Sequence, residues 1–156
     1  MTAFQPYNHD MPEYFDTGAI TLPGKTFILD YPRPPKGLSA NDRVHWSIRR
    51  GATADIRLEV MAKTRALHLG SAERVRVDVV WIVADRKRRD TDNLAPFLKA
   101  IYDGIGADKG VSARIVEDDA PEFMDKPSAT IRYQYGARPH FEVTITVVDP
   151  MTEVAA

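Results

Sequence analysis

Residues 75–105 read VRVDVVWIVADRKRRDTDNLAPFLKAIYDGI, and the fold turns on how this stretch divides. Its first part alternates. Val75, Val77, Val79, Trp81 and Val83 share one side, the pattern of a strand half buried against a core, with Trp81 as a core residue and Asp78 on the polar, solvent-facing side. The alternation stops at Asp85, where Arg86-Lys87-Arg88-Arg89 forms a basic loop. From residue 92 the period changes from 2 to 3.6, and Leu94, Leu98, Ile101 and Ile105 fall on one helical face. Pro96 is acceptable there because the first helical turn has no use for its missing N–H.

Working outward, residues 25–31 (KTFILDY) read as a short strand, and YPRPPKGLSAND after it carries too many prolines for regular structure. A helix is expected from Asn41 or Asp42 to about Leu69, stopped by Gly70, with Ile56, Leu58, Val60, Met61 and Leu67 among its apolar positions. Gly51 inside it leaves open a later start. Downstream, 106–113 is a loop and 114–117 (RIVE) a short strand ending on Asp118-Asp119. Ile131, Tyr133 and Tyr135 alternate, Gly136 to Pro139 turn, and Phe141, Val143, Ile145 and Val147 alternate back, which predicts an antiparallel hairpin. The expected class is α+β: a small mixed sheet with a C-terminal hairpin and two helices on one face, over residues 25–150. Residues 1–24 show no periodicity and read as a flexible arm or an added edge; 151–156 form a tail.

The chain has 156 residues, enough for one domain with a proper core. Apolar residues at 44% and charged residues at 28% exclude a disordered chain. No apolar run approaches the ~20 residues of a membrane span, and the N-terminus lacks the basic-then-apolar pattern of a signal peptide, so a cytoplasmic protein with no membrane partner is expected. Cysteine is absent, which excludes disulfides, thiolate nucleophiles and Cys-ligated zinc or iron–sulfur sites. The formal net charge of −1 conceals blocks. Arg33, Lys36, Arg43, Arg49 and Arg50 lie within 33–50 against Asp42 alone, whereas 117–125 hold Glu117, Asp118, Asp119, Glu122 and Asp125 with no base.

The chemistry concentrates at Asp90-Thr91-Asp92-Asn93-Leu94. Hard divalent cations take oxygen ligands, and Mg²⁺ is typically held by one or two carboxylates with waters and substrate phosphate. Two aspartates at a strand-to-helix turn can meet one ion, and Asp118 or Asp119 supplies a third carboxylate. Asp92, Lys99 and Asp103 lie within about 40° on the helix face opposite the apolar stripe. A metal beside a lysine suits phosphodiester hydrolysis. The competing explanation is plain capping, with Asp92 or Asn93 as an N-cap; the adjacent basic run, Lys99 and the second Asp pair favour the metal.

In chain order the motifs are P-R-P-P-K-G-L-S-A-N-D-R-V-H-W at 32–46, R-R-D-T-D-N-L at 88–94, L-K-A-I-Y-D-G-I at 98–105 and I-V-E-D-D at 115–119. This set resembles the RusA-type Holliday junction resolvases, over roughly residues 25–148. The resemblance implies a homodimeric, Mg²⁺-dependent endodeoxyribonuclease (Mn²⁺ being the alternative metal) that cuts four-way DNA junctions symmetrically in recombination and repair. It implies Asp90, Asp92 and Asp119 as catalytic metal-binding carboxylates, Asp118 as their support, Lys99 as the family's essential lysine and Arg89 as the basic residue before the first carboxylate. One departure stands out: four residues separate D-N-L from Lys99 where the family commonly has one, so the lysine sits nearly one turn further along.

Lys36, Arg43, His45, Arg49, Arg50, Arg86, Lys87, Arg88 and Arg89 are the candidate DNA contacts. Trp46 is expected in the core, with stacking on an unpaired base as the alternative. Asp103 is expected to pair with Lys99 at i,i+4. Two other classes compete: a phosphatase with an aspartate nucleophile, resembling the haloacid dehalogenases, and a non-catalytic junction-binding protein.

Overall fold

The computed structural model describes residues 20–21 and 23–149. The elements in order are β1 (Ile20–Thr21), β2 (Lys25–Leu29), α1 (Trp46–Ala66), β3 (Val75–Val83), a 3₁₀ turn (Thr91–Leu94), α2 (Ala95–Ile105), β4 (Met124–Asp125), β5 (Thr130–Tyr133) and β6 (His140–Asp149). Over the described residues the protein is a mixed α+β fold with a mixed sheet and two α-helices, as the change of period at residue 92 predicts.

β3 is the central strand: Val75, Val77, Val79, Trp81 and Val83 are buried on its core face, Arg76 and Asp78 lie on the other with Ile82 buried at its end, and both edges are paired. β6 runs antiparallel along one, from Val75↔Val147 to Ile82↔His140. β4 and β5 run parallel along the other. β1 and β2 then pair antiparallel with the far edge of β6. Ile20 and Thr21 thus form an edge to the sheet inside the segment read as an arm or added edge; residues 1–19 and 150–156 lie outside the described residues.

The expected C-terminal hairpin does not form. β5 and β6 flank β3 instead of pairing with each other, and residues 134–139 arch over the end of β3, with the Gln134 amide donating to the Val83 carbonyl at 2.9 Å. Alternation in the two segments was correctly read as strand, but it says nothing about the partner. β5, exposed or half-buried at every position, offers β6 less apolar surface than β3 does.

The expected strand at 114–117 is also absent. Arg114 has φ 52°, and the chain wraps the end of α2, with Ala113 donating to Gly104 and Ile115 to Ile105. Ile115 and Val116 are buried there without a ladder.

The core joins one sheet face (Phe27, Leu29, the β3 residues, Phe141, Val143 and Ile145) to both helices. α2 contributes Phe97, Ala100, Ile101 and Ile105, and α1 contributes Ile56 and Val60. Phe141 lies between Trp81, stacked at 5.1 Å, and Phe97, edge-on at 4.7 Å. The helices cross closely at Gly104, where a Cβ would stand 2.8 Å from Val60. α1 is tied to β2 by the Tyr31 hydroxyl donating to Glu59 at 2.6 Å and by Lys25 donating to the Leu67 carbonyl at 2.9 Å. Burial first, then Glu59, pushes the Tyr31 hydroxyl up to about 12. No helix among the described residues is long and apolar enough to cross a membrane.

Candidate functional site

The motif at 90–94 takes its shape from Asp90. Its backbone is extended, φ −119° and ψ 120°, and its carboxylate accepts from the Asp92 amide at 3.0 Å. The cap of this turn is therefore Asp90, not Asp92 or Asn93. The cap engages Asp90 Oδ1, and Asp92 stays exposed in the first turn, where the positive helix end favours an anion. The helix expected over 92–105 is in fact the 3₁₀ turn followed by α2, which places Pro96 at its start.

The proline-rich loop closes on this turn. The Ala40 amide donates to the Asn93 carbonyl at 2.9 Å. Asp42 braces the loop by accepting from the Gly37 amide at 2.7 Å and the Ser39 amide at 3.2 Å. Gly37 has φ 95° and faces the Arg49 backbone, so a side chain there is strained and crowded. Between loop and turn lies a cleft of about 660 Å³. Arg33 and Lys36 line one wall, Arg88, Arg89 and Asp90 the other, and Trp81 also lines it. Trp81 is buried, and its indole N–H donates to the Pro32 carbonyl at 3.1 Å. Arg33, Lys36 and Arg88 make no ion pair among the described residues. Arg89 is held by Asp85 at 2.8 Å and stands 5.4 Å over the Trp81 ring. The hydrogen bond from Arg89, then that from the Lys87 amide, lowers the Asp85 pKa. Arg86 stacks over Tyr133 at 4.3 Å.

A second cluster lies along α2. Lys99 Nζ reaches Asp103 at 2.9 Å and Asp119 at 3.0 Å, and Lys126 reaches the same Asp119 oxygen at 3.3 Å. The expected Lys99–Asp103 pair forms, and Lys99 also draws in an acid twenty positions away. Burial raises the Asp119 carboxyl, but the two lysines outweigh it and hold it below the usual carboxylate range. Burial lowers Lys99, and its two acids more than reverse that, so its pKa is raised.

The structure thus gathers the predicted residues into two groups. Asp90 and Asp92 share the turn, and Asp119 joins Lys99. Asp118 is half-buried beside Asp119. Among the described residues, no three Asp, Glu or His side chains stand together as a ready-made metal cage. Lys99 lies seven positions beyond Asp92, roughly 10 Å along the helix axis.

The start of α1 differs from expectation. The helix begins at Trp46 because Asp42 is engaged in its loop and His45 is the cap, its Nδ1 accepting from the Ser47 amide at 3.2 Å. Gly51 sits inside one continuous helix, facing open space. Trp46, expected in the core, is 64% exposed. Helical position decides this: the first turn of α1 overhangs the loop, and the buried stripe starts only near Ile56. Arg49 is within 3.4 Å of the Asp42 carbonyl, while Arg43 and Arg50 make no ion pair among the described residues. Asp78 is half-exposed and pairs with Arg76. Sequence reasoning put Arg33 in a basic block but not among the DNA contacts, and it missed Asp42 as the loop brace and Lys126 as a partner of Asp119. Arg33 was signalled by its basic block; Lys126 carried no signal, because only the return of the chain along β4 brings it near α2.

Neither models of known protein families nor curated proteins give a match to this sequence.

Proposed function

We propose that the chain is a Mg²⁺-dependent endodeoxyribonuclease of RusA type that resolves four-way DNA junctions as a homodimer, Mn²⁺ being the alternative metal. One observation carries the reading: a turn presenting Asp90 and Asp92 opens beside a cleft whose Arg33, Lys36 and Arg88 make no ion pair among the described residues, although Asp42 and Asp90 line the same cleft. Unspent positive charge beside two carboxylates fits a phosphodiester, whose phosphate needs the cations and whose hydrolysis needs an ion held by the acids.

The donor set fits Mg²⁺, which keeps several waters and takes few protein carboxylates. Asp90 and Asp92 would hold it, Asp90 with Oδ2, the oxygen its cap leaves unused. When bound, the ion acidifies a water and shields charge on the phosphate. The chain's own residues do the rest. Arg33 and Lys36 seat the strand from the loop side, and Arg88 seats it from the other. Lys99 and Lys126 keep Asp119 ionised, and Asp103 and Asp119 keep Lys99 charged. Two symmetric cuts need two sites, hence two copies.

The test is a labelled four-way junction with a mobile core, incubated with and without Mg²⁺ beside linear duplex and the Asp92→Asn protein. Paired nicks in opposing strands that require Mg²⁺ and vanish in Asp92→Asn are the expected result. Junction binding without cutting in any metal would assign a non-catalytic role, and no binding would overturn the reading.

A further inference from the structure

The first turns of α1 carry a feature that the cleavage chemistry does not use. Trp46, Arg49, Arg50 and Thr53 recur at helical spacing on one face and line a shallow hollow of about 410 Å³. Arg57 closes its far end, fixed by bonds to the Val111 carbonyl at 3.0 Å and the Lys109 carbonyl at 2.7 Å. The indole is 64% exposed, a large desolvation opportunity left open. The His45 ring stands 5.4 Å from it, tilted 37°, and His45 is itself held as the helix cap, so the platform is not a loose side chain.

The charge pattern points the same way. A helix N-terminus favours acids, yet the first turn of α1 has none, and Arg49 and Arg50 follow directly. This arrangement disfavours the isolated helix and is relieved by an anion. A two-fold contact centred on this face would set these arginines against their own counterparts. A ligand with a flat apolar face and regularly spaced negative charges satisfies both demands.

We propose that this face of α1 binds unpaired bases of a single DNA strand, with one base stacked on Trp46 and the adjoining phosphates on Arg50 and Arg49. The inference rests on the nucleic-acid reading above but not on the metal or on cleavage. It gives the nuclease a means of recognising unpaired nucleotides at a branch, where a continuous duplex exposes no base face.

The protein has two tryptophans; Trp46 is 64% exposed, Trp81 is 8% exposed with its N–H bonded but lines the cleft, and the emission change that Trp46→Ala abolishes is the part due to Trp46. The experiment titrates the full-length protein and each variant into a fluorescein-labelled twelve-nucleotide oligothymidine and, separately, into a labelled blunt twelve-base-pair duplex, in EDTA, reading affinity from anisotropy in every case and tryptophan emission in the wild type. Oligothymidine should quench the emission. Trp46→Ala should weaken oligothymidine binding roughly five- to hundredfold, the range of one lost base stack, and duplex binding by less than twofold. Trp46→Phe should keep most of the affinity, and Arg50→Glu should weaken both ligands. Equal melting temperatures would show that the variants are folded.

Unchanged oligothymidine affinity in Trp46→Ala, or an equal loss on both ligands, would overturn the proposal. So would a wild-type oligomer that Trp46→Ala dissociates, since the face would then be an interface between copies. With no metal present, a protein that fails to cut junctions can still pass this test, and one that cuts them can still fail it.

Discussion

Asp90 closes a turn and, under the proposed function, would also hold the metal; substitutions separate the two roles. One oxygen closes the turn at Thr91–Leu94 by accepting the Asp92 amide. Asp90→Asn keeps an oxygen for that bond and should alter stability by less than about 0.5 kcal/mol, whereas Asp90→Ala should cost about 0.5–2 kcal/mol. If the proposed function holds, both should lose Mg²⁺-dependent cutting; urea denaturation and the junction assay read the two effects independently. Asp119 and Lys99 set an acid and an alkaline limit. The native Asp119 value lies below the unfolded one, so its contribution is present above the ordinary carboxylate range and is lost as pH falls through the lowered native value. Lys99 is raised, so its contribution is full below the ordinary lysine value and lost as pH rises through the native one. Lys99→Met should move the Asp119 titration, followed by carboxyl NMR, upward toward 3.8. His140 titrates nearer neutrality. Its Nδ1 donates to the Arg138 carbonyl at 2.6 Å, the main cause of its raised pKa, and Nε2 pairs with Glu142 at 3.2 Å. The stability it adds is full below pH 6.5 and fades as pH rises through its raised value. His140→Gln should remove that fall, which melting temperatures measured across neutral pH would show.

At the scale of elements, α2 was legible because its stripe is local. Leu94, Ile101 and Ile105 are buried where 3.6-residue spacing puts them, and Leu98 is partly buried against the core. The close approach to α1 was not legible. Gly104 and Val60 are far apart in sequence, and nothing local marks Gly104 as a crossing point. A Cβ there would stand 3.0 Å from the Arg57 carbonyl as well as 2.8 Å from Val60, and neither neighbour is a flexible tip. Gly104→Ala should therefore destabilise by about 1–3 kcal/mol, despite alanine's better helix propensity, measured as a shifted denaturation midpoint at constant slope. The start of α1 was misread because Asn41 and Asp42 have the composition of a cap. Asp42 spends its carboxylate on the Gly37 and Ser39 amides, a tertiary use of a residue that sequence alone assigns to the helix.

At the scale of the molecule, the near-zero net charge hides a sided distribution. Arg33, Lys36 and Arg88 crowd one cleft, and Arg49 and Arg50 lie on α1. Under the proposed function, DNA affinity should fall linearly with the logarithm of salt concentration, and each alanine substitution at Arg33, Lys36 or Arg88 should lower that slope by about one. Binding isotherms on the same DNA at several salt concentrations check this; an unaltered slope would remove that residue from the phosphate path.

The sequence by itself determined β3, the basic loop and α2, because periods of 2 and 3.6 are written locally and the hydrophobic effect acts on them whatever they pack against. It also determined where charge is unbalanced. Only the tertiary structure decided that β3 separates β5 from β6, since a strand's alternation specifies a buried face but not a neighbour. Only the fold brought Asp119 and Lys126 to Lys99, because contacts between distant segments depend on the path of the loops between them. And only the fold left Trp46 in solvent: burial belongs to the place where a helix begins on the core, not to the residue that begins it.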